Sequence, residues 1–223
     1  MSFFQTLQAR TEAARGQLLA TPIIRRALAG RITRPEYAAF LEQAYHHVRH
    51  TVPLLMATGA RLSDRHGWLR SAVAEYIEEE IGHEEWILND LAACGYDPDA
   101  VRRGRPSLAT ELLVSYAYDT IARVSPLGFF GMVHVLEGTS VSLANNAANT
   151  IRQSLALPKN AFSYLYSHGA LDLEHVAFFE NLMNRIDDPA DQASIVHAAG
   201  VFYRLYGDLF RGLDGARAPA LAA

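Results

Sequence analysis

The residues best suited to chemistry lie in the segment Ser167-His168-Gly169-Ala170-Leu171-Asp172-Leu173-Glu174-His175. His168, Asp172 and His175 stand at i, i+4 and i+7, so on a helix they share one face. The periodicity predicts one long helix from about Ala161 to Ile186. Its stripe on that face otherwise carries Ala161, Leu165, Val176, Phe179, Met183 and Ile186. Two imidazoles and a carboxylate therefore interrupt a core-facing row. Buried there they are costly unless a metal ion or an internal hydrogen-bond network compensates them.

A second candidate is Glu78-Glu79-Glu80-Ile81-Gly82-His83-Glu84-Glu85. Glu78, Glu79 and Glu85 read as a solvated face. Glu80 falls among Leu69, Val73, Tyr76, Ile77, Ile87 and Leu91, and His83 flanks the same stripe. Glu-x-x-His on one inward helix face is the spacing that carboxylate-bridged dimetal sites in helical bundles use. Glu84 sits at the edge, placed to support a ligand from behind. Glu137 lies on a further apolar row, with Phe130, Val133, Val141, Ala144 and Ala148, either as a ligand or as a buried glutamate paired with a cation. His134, one turn earlier, is placed to orient a ligand by hydrogen bonding. His46 and His50 have i, i+4 spacing but point away from their helix's main stripe, which suits a surface or supporting position. His66 and His197 read as surface residues. The six inward residues bring carboxylate and imidazole donors in equal number, a mixture suited to Fe(II) or Mn(II) rather than to a closed structural zinc site.

The elements that must position these residues are all helical. Two short helices fill Ser2 to Gly30, with a break near Thr21-Pro22. Thr33-Arg34-Pro35-Glu36 is a capping box with proline in the first turn, and it opens a helix to about Leu62 that Pro53 should kink. A third helix spans about Gly67 to Ala93 and closes at Cys94-Gly95. Ser107 caps a fourth, Ser125-Pro126 opens a fifth that carries Glu137 to about Leu155, and Pro158 starts the sixth. Asp187-Asp188-Pro189 breaks the chain before a last helix to about Leu213. No alternating strand pattern, repeat or interdomain linker is visible. The reading is all-α: one domain over residues 1–213, a bundle of about seven helices, and a flexible tail over 214–223.

Composition narrows the class of function. The chain has 223 residues, half of them hydrophobic, and a formal net charge of −4, which leaves no electrostatic footprint for nucleic acid or a membrane surface. The single cysteine, Cys94, forms no internal disulfide and suits a reducing compartment. With no signal peptide or membrane-length apolar run visible, a cytoplasmic location is expected.

Glu80-x-x-His83, Glu137 and His168-x3-Asp172-x2-His175 together resemble the haem-oxygenase-like diiron oxidases, relatives of the TenA/THI-4/PqqC-like proteins. The resemblance spans most of the chain, and the late His-x3-Asp-x2-His motif is its most specific part. It implies the seven-helix haem-oxygenase-like bundle, a homodimer, and two irons (or a manganese and an iron) held by Glu80, His83, Glu137, His168, Asp172 and His175. The implied chemistry is activation of O2, the co-substrate, to oxidise a small molecule. Members of this group desaturate or decarboxylate fatty acids, N-oxygenate guanidines, cleave amino acids, or build an aminobenzoate from a tyrosine of the protein. Their second iron is often weakly held, so a purified sample can be partly empty. The alternative of the same fold is a metal-free TenA/PqqC-like enzyme or metabolite binder. TenA thiaminases need a cysteine nucleophile in the pocket, whereas Cys94 sits at a helix end. Haem oxygenases use a histidine on the first helix, and the first histidine here is His46.

Overall fold

The computed structural model describes residues 1–170, 172–214 and 218–222, with side chains at all of these except 142, 168–170 and 172–175. Among the described residues the chain forms α1 (Phe3–Leu19), α2 (Pro22–Leu28), α3 (Arg34–Val48), α4 (Thr51–Arg61), α5 (Leu69–Glu80) and α6 (His83–Ala93). It continues as α7 (Pro98–Arg103), α8 (Leu108–Asp119), α9 (Phe129–Leu155), α10 (Ser163–Ala170), α11 (Asp172–Asn184) and α12 (Pro189–Arg211). The helix starts follow local chemistry. Thr33 and Glu36 close a reciprocal capping box on α3, Ser107 caps α8, Asp188 caps α12, and prolines occupy the first turns of α2, α3, α7 and α12. No single described helix is long and apolar enough to cross a membrane.

In two places where one long helix was expected, the structure has two. The segment opened by Thr33 breaks at Arg49 and His50, upstream of Pro53. Restarting at Thr51 puts Pro53 in the first turn of α4, where its missing N–H deprives no helical carbonyl of a donor, so a break replaces the expected kink. The segment read as Gly67 to Ala93 breaks at Ile81 and Gly82. Gly82 adopts φ +89°, a left-handed conformation that a side chain would strain. The segment read as Ala161 to Ile186 is preceded by a 3₁₀ turn at Lys159–Ala161 and is helical as α10 and α11 on either side of residue 171, which lies outside the described residues. The common face of His168, Asp172 and His175 lies outside the described residues.

α9 is the central rod, packing against α2, α10, α11 and α12. Gly131 makes its crossing with α12 possible: a Cβ there would lie 2.6 Å from the Ala199 backbone nitrogen. Phe130, Phe162, Phe202 and Tyr37 are among the largest fully buried side chains and tie α9, α12, α3 and the residue before α10 into one core. The tail makes specific contacts. Asp97 N–H donates to the Ala220 carbonyl at 2.8 Å, Ala222 N–H donates to Gly95 at 3.1 Å, and Asp214 pairs with Arg26 at 2.6 Å.

Candidate functional site

Glu80 ends α5 and His83 begins α6, so the pair flanks a chain break instead of sharing one helix face. The left-handed turn at Gly82 still brings the side chains together, with His83 Nδ1 3.2 Å from Glu80 Oε2. The His83 ring is buried and stacks on Trp86, centroids 4.0 Å apart. Both residues line a cavity of about 830 Å³, open end included, with Glu137 of α9 on its wall. Val48, Leu55, Phe129, Met132, Val133 and Leu136 make most of the remaining wall apolar. Glu137 also borders a second cleft, formed with Thr11 and Arg15 of α1, His134, Phe179 and Tyr203. It stands between two spaces.

Glu80, His83 and Glu137 thus share one cavity, as their inward positions predicted. Among the described residues, no three His, Cys, Asp or Glu side chains form a group able to hold a metal ion. His168, Asp172 and His175 lie outside the described side chains.

The supporting candidates fare differently. His134 lines the neighbouring cleft, its Nε2 3.2 Å from Thr11 Oγ1, and burial lowers its pKa to about 4, which keeps the ring neutral. His46 is buried, not superficial; it rests edge-on to Tyr45 and burial lowers it to about 4 as well. His50 Nδ1 lies 3.1 Å from the Tyr118 hydroxyl. Glu84 is half-buried. Glu84, His46 and His50 do not line the cavity. His66 also departs from the surface reading, because its Nε2 lies 2.9 Å from Asp191 and its side chain is largely covered. His197 is exposed.

Further residues complete the wall. His47 is buried, lines the cavity, and meets the Tyr206 ring edge-on at 6.0 Å. Tyr76, Tyr164 and Tyr206 contribute phenols. The Tyr76 hydroxyl is buried with no hydrogen-bond partner among the described residues. Burial, and then the nearby charge of Glu137, push that phenol well above its usual range. One signal for His47 was available: it is adjacent to His46, and a single residue turns a helix by about 100°, onto a different face from the one read.

Asp90 in α6 is fully buried and accepts from the Ser163 N–H at 2.8 Å and the Tyr164 N–H at 2.9 Å. It fastens the start of α10 and so sets the position of Tyr164. Burial raises it to about 6 against the lowering effect of those two bonds. Cys94 is buried and pushed up to about 11, mainly by desolvation, which leaves it a poor nucleophile.

Residues 38–207 match the family described as iron-containing redox enzymes. The chain belongs to that family. This family member has the haem-oxygenase-like fold. It is similar to a domain of unknown function with that fold from Shewanella denitrificans OS217 (22% identity, 96% of this chain and 93% of that one, TM-score 0.86). It is also similar to a TenA homologue from Pseudomonas syringae pv. tomato DC3000 (10%, 96% and 93%, TM-score 0.78). A haem oxygenase from Leptospira interrogans matches at 18% identity over 95% of this chain and 99% of that one, with a TM-score of 0.76. No curated protein matches the sequence significantly.

Proposed function

We propose that this iron-containing redox family member is a non-haem diiron oxidase or oxygenase acting on a small molecule, with Glu80, His83, Glu137, His168, Asp172 and His175 as the metal ligands. The observation that carries the reading is the convergence of the Glu80–His83 pair and Glu137, which is distant from both in sequence, on one apolar-walled cavity. Their donors are the kind that divalent iron takes, carboxylate oxygens and imidazole nitrogen. Iron bound there would supply the reduction of O2.

The chain's own residues have definable parts in this. The apolar wall from Val48 to Leu136 keeps water sparse, which strengthens every charge interaction within the cavity. The Glu80 carboxylate, 3.2 Å from His83 Nδ1, sets negative charge beside the imidazole. The Tyr76 hydroxyl, without a partner among the described residues, is available to donate a hydrogen bond to an oxygen of a bound ligand.

Oxygen uptake after anaerobic Fe(II) loading tests the reading. Wild type is expected to consume O2 on exposure to air-saturated buffer with a reductant, and His83→Ala to consume none, while Asp90→Asn retains uptake. A folded wild-type protein that neither holds iron nor consumes O2 overturns the reading in favour of a metal-free TenA/PqqC-like protein.

A further inference from the structure

Ser63, His66 and Asp191 form a hydrogen-bonded row, and none of them lines the cavity of Glu80, His83 and Glu137. Ser63 is the N-cap of the 3₁₀ turn Asp64–His66 between α4 and α5, and Asp191 stands in the first turn of α12. His66 Nε2 lies 2.9 Å from Asp191 Oδ2, and His66 Nδ1 lies 3.1 Å from Ser63 Oγ.

The order of these bonds fixes where the protons are. A carboxylate only accepts. Asp191 is held in that form by Arg65, 2.8 Å away, and by the dipole of α12, which favours negative charge in its first turn. Nε2–H therefore donates to Asp191, and on the neutral ring Nδ1 presents a lone pair to which the Ser63 hydroxyl donates. Hydroxyl, base and orienting carboxylate stand in the relation of a nucleophilic triad, with the two ring nitrogens in exchanged roles.

Exposure follows the same order. The Asp191 and His66 side chains keep 11% and 12% of their accessibility, whereas Ser63 is exposed. Although Ser63 is an N-cap, its side chain makes no capping bond, so the turn's own backbone does not occupy the hydroxyl. His66 and Arg65 already fasten the turn to α12, Arg65 reaching Asp188 as well at 2.8 Å. The Ser63 hydroxyl adds nothing to that bridge. Arg70 donates to the Leu62 carbonyl at 2.6 Å, which sets a guanidinium one residue from Ser63. Such a charge stabilises an oxyanion.

We propose that Ser63 is a nucleophile, activated by His66 and Asp191, that hydrolyses small carboxylic esters. Its Oγ bonds to the ester carbonyl carbon as its proton passes to His66 Nδ1. The bond from that carbon to the alcohol oxygen breaks, and the alcohol leaves with the proton. Water then attacks the acyl-Ser63 ester and gives a proton to Nδ1, and Ser63 Oγ takes that proton back as the carboxylic acid departs. Asp191 stabilises the imidazolium formed in each half. No metal or redox step enters, so the activity is independent of the iron reading.

The test is hydrolysis of p-nitrophenyl acetate by the iron-free full-length protein, together with fluorophosphonate labelling mapped by peptide mass spectrometry. Wild type is expected to hydrolyse the ester faster than buffer and to carry the phosphonyl group on Ser63. Ser63→Ala and His66→Gln should each slow hydrolysis about tenfold or more, a modest loss for a general base and its nucleophile, with circular dichroism and iron uptake as in wild type. Hydrolysis unchanged in Ser63→Ala, which would trace the reaction to surface imidazoles alone, overturns the proposal. So does a wild-type protein whose Ser63 takes no label, an outcome that needs no folded variant. Ester hydrolysis without iron uptake keeps this inference and loses the redox reading, and iron uptake without Ser63 reactivity does the reverse.

Discussion

Asp90 and Glu137 are both acidic side chains set into apolar helix rows, yet their surroundings differ. Asp90 has no exposed surface, and its oxygens accept from the first N–H groups of α10. That is a capping interaction supplied from another helix, with the carboxylate facing the positive end of the α10 dipole. Glu137, half-buried, borders two cavities midway along α9. Burial alone therefore does not single out a candidate site, since the more buried of the two fastens a helix start. Open space in front of the oxygens, shared with Glu80 and His83, is what separates them.

Substitutions should split along that line. Glu137→Ala and His83→Ala are expected to lower iron affinity on the order of 100-fold or more, the upper range for residues that merely support a ligand. Asp90→Asn should leave it near wild type. Chelator competition measures this, and equal losses in all three would erase the distinction. Next in size, Asp90→Ala strands two buried N–H groups and should cost about 3 kcal/mol, or a melting temperature lower by roughly 6–12 °C in calorimetry. An unchanged melting temperature would remove Asp90 from its structural role.

The pH dependence sharpens the contrast between buried groups of opposite shift. His134 falls from 6.5 to about 4 in the folded chain, so between those values the unfolded chain takes up a proton that the folded one refuses. Stability should drop as pH falls through that window, by roughly 3 kcal/mol in full. Asp90 rises from 3.8 to about 6, so the folded chain binds its proton first, and stability gains as pH falls from about 6 toward 3.8. Urea unfolding at several pH values is expected to show a shallower acid-side loss for His134→Gln and a steeper one for Asp90→Asn. The smallest effect belongs to Tyr76→Phe. Its hydroxyl has no partner among the described residues, so stability should stay within about 1 kcal/mol of wild type. A larger loss in denaturant titration would reveal a structural bond.

Helix starts were legible because their signals are local. Thr33 and Glu36, Pro22, Pro189 and the closing Gly95 act within one turn of themselves. The breaks were not. The apolar rhythm of Ile77, Ile87 and Leu91 runs through Gly82 without interruption, so nothing in the pattern shows that Gly82 turns left-handed. For the same reason Glu-x-x-His was read on one helix face, whereas Glu80 and His83 meet across the Gly82 turn. Asp90 was missed because its partners, the N–H groups of Ser163 and Tyr164, are brought to it only by tertiary packing. His47 was passed over because the i, i+4 spacing of His46 and His50 drew attention to another face. Glu137 was found because one carboxylate in the row Phe130, Val133, Val141 and Ala144 needs an explanation that burial alone does not give.

Whether Glu137 and its partners hold iron is decided by elemental analysis after anaerobic Fe(II) loading and desalting. About two irons per chain are expected for wild type, as in carboxylate-bridged helical bundles, with the metal lost in Glu137→Ala and His168→Ala and kept in Asp90→Asn. A well-folded wild-type protein that retains no iron contradicts the claim.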